Sequence, residues 1–274
     1  MANAKDAHDV ATHKFLLLGP TGSGKTSQLL TLQGRKFAYL FDPNALLTLK
    51  GHDVEYEAFY PNNLSLDLQS LKKDKGGDVL MGRQRSEVYL DWEKDFDKKL
   101  SSGFFEDYDV IAMDSITTLL DLIMDRILAI NGRAGSWPQQ DDYGPTMVTF
   151  TNIVRTLTSM NKTLLFTGHL SLEKDELSQT IYRVPVMTGK LKEKIPLLFS
   201  DIFATDCQND GKGSITYTIQ TVGDRRTPTI RCSIKGLEPF EDVTIDWSKS
   251  VEGQGIGGLL NWEKKQITGD KATK

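Results

Sequence analysis

Residues Gly19, Pro20, Thr21, Gly22, Ser23, Gly24, Lys25 and Thr26 meet the spacing GxxxxGK followed by Ser or Thr. They lie between a short apolar run, Lys14–Leu18, and a helical pattern that begins near Lys25. Strand, glycine loop and helix in that order open a P-loop α/β domain. The glycines let backbone N–H groups turn inward with no Cβ in the way, forming a nest for anionic oxygens. The N-terminus of the following helix adds partial positive charge at the same spot. On this reading residues 19–26, with Ser27 beside them, cradle the phosphates of ATP. Lys25 reaches the β- and γ-phosphates, and the Thr26 hydroxyl ligates Mg²⁺. A glycine turn that binds nothing is the bland alternative, and the flanking strand and helix argue against it.

The rest of the chain supports an α/β reading. Lys36–Phe41 is a second apolar run closed by Asp42-Pro43-Asn44, a turn composition, and Val54–Phe59 alternates enough to be a third strand. Tyr60 to Gly82 reads as a loop or irregular insert. Ser86 to Leu100 reads as an amphipathic helix, with Tyr89, Trp92, Phe96 and Leu100 at three- and four-residue spacing. Asp109–Met113 is a buried-type strand, followed by a helix from Ile116 to Ile130. Asn131 to Pro145 is too rich in Gly, Pro and polar residues for regular structure; Thr146 to Met160 is helical and Thr163–Thr167 is another buried strand. Ser171 to Met187 reads as an extended excursion or hairpin, and Ile202–Thr205, Ser214–Val222 and Thr229–Ser233 as successive strands. The expected fold is therefore a mostly parallel central sheet with an antiparallel C-terminal strand extension. Residues 14–246 form the expected core, with flexible ends at 1–13 and 247–274.

Composition narrows the function classes. Hydrophobic residues are 39% and charged residues 26% of 274, ordinary for a soluble globular chain. The net charge of -4 is unlike a dedicated duplex-DNA-binding domain, so nucleic-acid contact must come from local patches. Cys207 and Cys232 lack metal-site spacing and are expected as buried free thiols. No apolar run approaches the roughly 18 residues that span a membrane, and Met1–His13 holds no apolar signal core, so no membrane association and a cytoplasmic location are expected.

The second half of the phosphate site is Asp114, the acid ending the apolar run Val110–Met113 in the Walker B manner, where a strand end aims a carboxylate at Mg²⁺. Ser115 follows it, where many AAA+ and helicase-type ATPases carry a catalytic Glu. The segment Val110–Leu120 resembles the corresponding segment of RecA/KaiC-type ATPases, which also carry Asp-Ser. With the Asp-Tyr-Gly at 142–144 and the Thr-Gly-His at 167–169, the set resembles phage-encoded nucleotide-binding proteins of the AAA-domain class. Some of these are described as RecA-like recombinases or single-strand annealing proteins. The resemblance spans about Phe15 to Asp246.

The resemblance implies a RecA-like ATPase core and several roles. Lys25, Thr26 and Asp114 carry over directly. His169 matches the position that senses the γ-phosphate, a histidine that merely caps a strand end being the alternative reading. The water-activating acid of RecA proteins lies after the second strand; here that stretch reads Asp42-Pro43-Asn44, leaving Asp42, or Glu55 or Glu57, as substitutes. Lys190, Lys192 and Lys194 resemble lysines that enter a neighbouring subunit's ATP site, implying a homo-oligomer with ATP between subunits; a solvated basic face is the alternative. Single-stranded DNA is the implied partner, met by loop residues Arg133, Trp137 and Tyr143, then Lys174, Tyr182 and Arg183, with Arg83, Arg85, Arg225 and Arg226 as further basic spots. A phage single-strand-binding protein is a further implied partner. The competing reading is a P-loop ATPase acting as loader or switch on a protein partner, without DNA contact. A small-molecule kinase fits less well, because no arginine cluster is placed as a lid.

Overall fold

A strand as apolar as Lys14–Leu18 has no face to offer water and must be covered on both sides. The computed structural model describes residues 12–61, 71–72, 77–177 and 179–268. Its strands are Lys14–Leu18 (β1), Lys36–Leu40 (β2), Glu55–Ala58 (β3), Leu71–Lys72 (β4), Gly77–Asp78 (β5), Val110–Asp114 (β6), Thr163–Gly168 (β7), Leu170–Lys174 (β8), Ile181–Pro185 (β9), Asp201–Asn209 (β10), Ile215–Gln220 (β11) and Phe240–Asp242 (β12). Its helices are Gln28–Thr31 (α1), Ala45–Leu49 (α2), Val79–Ser102 (α3), Ile116–Ile130 (α4), Gln140–Thr158 (α5), Leu191–Lys194 (α6) and Gly255–Thr268 (α7).

Eight strands form one sheet in the order β3-β2-β6-β7-β1-β10-β11-β12. Pairing is parallel from β3 to β10 and antiparallel from β10 to β12. This is the expected α/β architecture: a RecA-like core with a mostly parallel sheet and an antiparallel C-terminal extension. Side chains alternate across it. Leu16 and Leu18 enter one core with Met113, Phe150 and Phe166, while Phe15 and Leu17 enter another with Leu29, Leu40 and Ala112.

Several elements depart from the sequence expectation, each for a tertiary reason. The helical stripe of α3 buries Tyr89, Trp92 and Phe96 as expected, but Leu100 is exposed and Lys99 takes the next inward position. The Lys99 ammonium lies 5.1 Å from the Phe104 ring centroid and 5.5 Å from that of Phe37, paired with Asp95 and Glu57. Aromatic faces and two carboxylates make that position favourable for a cation. Helix α5 begins at Gln140, inside the stretch expected to be irregular. Buried Asp142 accepts from the Gln139 backbone N–H at 2.7 Å and from Asn131 at 2.9 Å, and pairs with Arg133. That cluster caps the helix and outweighs the N–H that Pro145 lacks. Only Arg231 of residues 229–233 pairs, through a single bridge to Ile202, because Asp224 folds 224–227 into a turn by accepting from the backbone N–H groups of Arg226 at 2.7 Å and Thr227 at 2.8 Å. The thiols are free but not buried as expected: Cys207 is exposed where β10 runs on as a two-stranded ribbon, and Cys232 is half-buried. The expected insert at Tyr60–Gly82 falls partly outside the described residues.

The expected C-terminal tail is the largest correction. Its first half docks on α1: the Ile256 N–H donates to Gln28 Oε1 at 3.0 Å and the Gly257 N–H to Thr31 Oγ1 at 3.1 Å. A Cβ at Gly257 would lie 1.8 Å from the Thr31 carbonyl oxygen, so only glycine permits the approach. Helix α7 follows from there. Residues 1–11 of the expected flexible N-terminus lie outside the described residues, whereas His13 is fixed, with Nδ1 2.8 Å from Asp201 and Nε2 3.0 Å from Glu263 of α7. No helix among the described residues is long and apolar enough to cross a membrane.

The His13 contact makes docking of α7 depend on pH. Burial disfavours the charged ring, but Asp201 and Glu263 outweigh it and hold the His13 pKa above 6.5, while the His13 and Ser200 contacts hold Asp201 below its ordinary value despite burial. The His13 contribution is therefore full below pH 6.5 and lost as pH rises through its raised pKa. We predict that the thermal midpoint of the wild type falls as pH rises from about 6 to 8, and that His13→Gln flattens this slope while lowering stability at pH 6.

Candidate functional site

Sheet order decides which strand ends meet. β7 lies between β1 and β6, so the loop after β1, the end of β7 and Asp114 stand side by side at the carboxyl edge, where open α/β sheets bind ligands. Leu40 pairs with Asp114, which brings the turn at Asp42 next to them. A cleft of about 500 Å³ opens there, lined by residues 21–27, Asp42, Asn44, Thr48, Asp114, His169 and Tyr217 among others.

The glycine loop has the conformation its spacing requires: Gly22 and Gly24 take φ values of 80° and 78°, in the left-handed region. Gly24 is doubly constrained, because a Cβ there would meet the Tyr217 ring at 3.0 Å. Lys25 is only 8% exposed, and its ammonium donates to the carbonyl oxygens of Gly19 at 3.0 Å and Pro20 at 2.7 Å. Burial pulls its pKa down, with the charges of Asp114 and Asp42 opposing. A desolvated ammonium held by neutral oxygens, two carbonyls and the Ser23 hydroxyl, gains by exchanging them for charged phosphate oxygens. The helix expected from Lys25 begins at Gln28; residues 25–27 instead accept tighter three-residue bonds, as in Gln28 N–H to the Lys25 carbonyl at 3.2 Å.

Asp114 is 7% exposed and accepts from Thr26 Oγ1 at 2.6 Å through one oxygen and from Thr167 Oγ1 through the other. Burial raises its pKa, and the two hydroxyls oppose that shift without cancelling it. Adjacent hard oxygens, with a carboxylate whose hydrogen-bond partners are both neutral, fit Mg²⁺, which takes few protein ligands and completes its shell with water and phosphate. Thr26 and Asp114 would hold it, and it would neutralise charge between the phosphates. Among the described residues no group of three or more His, Cys, Asp or Glu converges to hold a metal.

His169 lines the cleft directly after β7. Burial, then the Lys25 charge, lowers its pKa, so the ring is neutral at pH 7. Asp42 accepts from Thr118 Oγ1 at 2.5 Å, and Thr118 in turn lies 3.2 Å from Ser115 Oγ, which caps α4 by accepting from the Thr118 N–H. Ser115 thus holds the first turn of α4 against the acid. The alternatives to Asp42 are engaged elsewhere: Glu55 with Arg35 at 3.0 Å and Tyr108 at 2.6 Å, and Glu57 with Lys99 at 3.3 Å. Neither lines the cleft. Lys190, Lys192 and Lys194 also lie outside it, on and beside α6, and Lys192 pairs with Glu173 of β8 at 2.6 Å.

Of the loop residues, Arg133 is committed to Asp142 and Arg85 to Asp125, whereas Trp137 is 72% exposed and Tyr143 half-buried. Lys174, Tyr182 and Arg183 sit on the β8–β9 hairpin, and Arg183, Arg225 and Arg226 converge on a second cleft. Sequence reasoning missed three site residues. Thr167 had a readable signal, a hydroxyl ending an apolar strand. Thr118 and Tyr217 had none, since their partners lie 76 residues away at Asp42 and far upstream at Gly24.

A sheet of this order carrying a P-loop and a strand-end Asp at one carboxyl edge defines a P-loop NTPase of the RecA-like kind. Residues 11–229 match the family described as an AAA domain, and the chain belongs to that family. No curated protein sequence matches it. Among solved structures it is similar to the flagellar accessory protein FlaH from Methanocaldococcus jannaschii (12% identity, 85% of each chain covered, TM-score 0.40). It is also similar to the KaiC-like protein PH0186 from Pyrococcus horikoshii OT3 (12% identity, 85% of this chain and 86% of that one, TM-score 0.39). These are distant likenesses, and the fold assignment rests on the sheet itself.

Thr167→Val removes one hydroxyl from Asp114 at nearly constant volume. The lost charge-assisted bond, about 1.5–3 kcal/mol, predicts at least roughly tenfold weaker ATP binding with Mg²⁺ and little change in binding without it, measured by calorimetry.

Proposed function

We propose that this protein hydrolyses ATP with Mg²⁺ and uses the cycle to act on single-stranded DNA, promoting strand annealing or recombination in a phage. The observation that carries the reading is His169. Its ring lines the cleft, while its carbonyl oxygen accepts from the Val186 N–H at 2.9 Å, just past β9. A change in contact at the γ-phosphate therefore reaches the β8–β9 hairpin through one residue. That hairpin carries Lys174 and Arg183, and with Arg225 and Arg226 it borders a cleft of about 560 Å³. Cations on an outer hairpin suit the phosphates of a single strand.

In the hydrolytic step, Lys25 and the loop N–H groups stabilise the phosphate charge, and Asp42, held by Thr118, orients the attacking water. A lysine of α6 from a second copy completes the site, so that ATP lies between subunits. Lys194 is the stronger candidate, since Lys192 is paired within its own chain. Lys25→Ala should abolish nucleotide binding. Lys194→Ala should leave ATP binding intact and cut turnover by on the order of a thousandfold, the scale of a cation supplied in trans; unchanged turnover removes that role.

The second reading, a loader or switch on a protein partner, is favoured by apolar residues on the same hairpin: Leu172 is 71% and Ile181 50% exposed. Fluorescent single-stranded oligonucleotide at low salt separates the two. Anisotropy should rise with protein and ATP, and weaken in Arg183→Ala. No binding with ATP, ADP or a non-hydrolysable analogue overturns the DNA reading and leaves the protein partner.

A further inference from the structure

We infer that Tyr217 is the platform on which the base of the bound nucleotide stacks, and that this end of the cleft takes purine bases without reading their edges. The inference rests on the P-loop binding a nucleotide and adds which way the nucleotide lies.

Direction follows from the sheet. Asp114 ends β6, and Asp42 and His169 follow β2 and β7, all on one side of β1, so the reacting phosphate must point that way. The nucleoside leaves toward the other side, over β10 and β11. Tyr217 stands there, in the middle of β11, while the other ring lining the cleft, that of His169, stands at the phosphate end.

The ring is held for this task. Its carbon atoms pack on Gly24 at the tip of the loop, where an added Cβ would meet Cδ1 at 3.0 Å. Its backbone is pinned along the edge that faces β12: the N–H donates to Thr244 Oγ1 at 2.8 Å, and the carbonyl accepts from the Val243 N–H at 2.8 Å. The side chain is half-buried, packed against the core that holds Phe203, Ile219 and Val243, with the remainder open to the cleft. Stacking uses the ring face, which a phenylalanine would supply as well as the tyrosine. A fixed aromatic face beside a phosphate nest is where a base belongs, because every base has a π-face to stack.

Selectivity follows from what surrounds the ring. Asp42, Asn44, Thr48 and His169 all stand on the phosphate-end elements. Of the loop hydroxyls, Ser23 turns to the Pro20 carbonyl and Thr205, Ser27 to the Gly24 carbonyl and Thr26 to Asp114, while exposed Thr21, whose hydroxyl can donate or accept, does not tell adenine from guanine. Stacking area then decides affinity, which favours purines over pyrimidines and treats adenine and guanine alike.

Calorimetry of the full-length chain with ADP, GDP, CDP and inorganic tripolyphosphate, each with Mg²⁺, tests this. The expected result is that Tyr217→Ala binds ADP and GDP at least about tenfold more weakly, as loss of one base–aromatic stack predicts, while tripolyphosphate affinity is unchanged. Tyr217→Phe should match the wild type, and CDP should bind more weakly than either purine nucleotide. Unchanged ADP affinity in Tyr217→Ala overturns the inference. So does an equal loss of tripolyphosphate, which would give the ring only a structural role against Gly24. If the wild type binds neither tripolyphosphate nor any nucleotide, the P-loop reading itself fails, and the Tyr217 assignment with it.

Discussion

A carboxylate taken out of water must be given partners, and Asp114 receives them from two other segments of the chain. Thr26 comes from the glycine loop and Thr167 from the strand between. The contact can form only if β7 separates β1 from β6, and only if all three strands run parallel so that their ends coincide. The sheet order and the chemistry of the site are thus one constraint seen from two sides. Burial raises the Asp114 pKa, which leaves the site ready for a cation and makes it costly without its hydroxyl partners.

The C-terminal segment extends that constraint to the far face of the sheet. Gln28 donates to the Val243 carbonyl at 2.9 Å and accepts from the Ile256 N–H, so the helix after the glycine loop is fastened to residues more than 200 positions on. His13 then ties α7, through Glu263, to Asp201 at the start of β10. The P-loop is therefore supported from beneath by chain ends that sequence reading leaves outside the core.

Much of the fold was legible because its signals are local. Residues 14–18, 110–114 and 163–168 are apolar runs bounded by Gly, Asp or Pro turns, and such runs form buried parallel strands wherever helices cover them. Helix α4 was read to the residue, since its apolar face and its Ser115 cap are both local. The errors have the opposite character. Lys99 turns inward because rings from β2 and the 104–107 turn surround it, and no spacing rule anticipates a cation there. Residues 140–145 become helical because Asn131 and Arg133 reach back to Asp142.

For the site itself, the sequence alone located the phosphate loop and the acid at the end of β6, and left the histidine after β7 open between a cleft residue and a strand cap until the structure placed it in the cleft. Each is a residue type demanded at a fixed place relative to a strand end. Only the tertiary structure decided which of Asp42, Glu55 and Glu57 faces the cleft, because Arg35, Tyr108 and Lys99 claim the two glutamates. It also decided that Tyr217 lines the cleft beside Gly24 and that residues 253–268 are part of the fold. These depend on contacts between segments a hundred or more residues apart, and periodicity carries no information about which distant surface a side chain will meet.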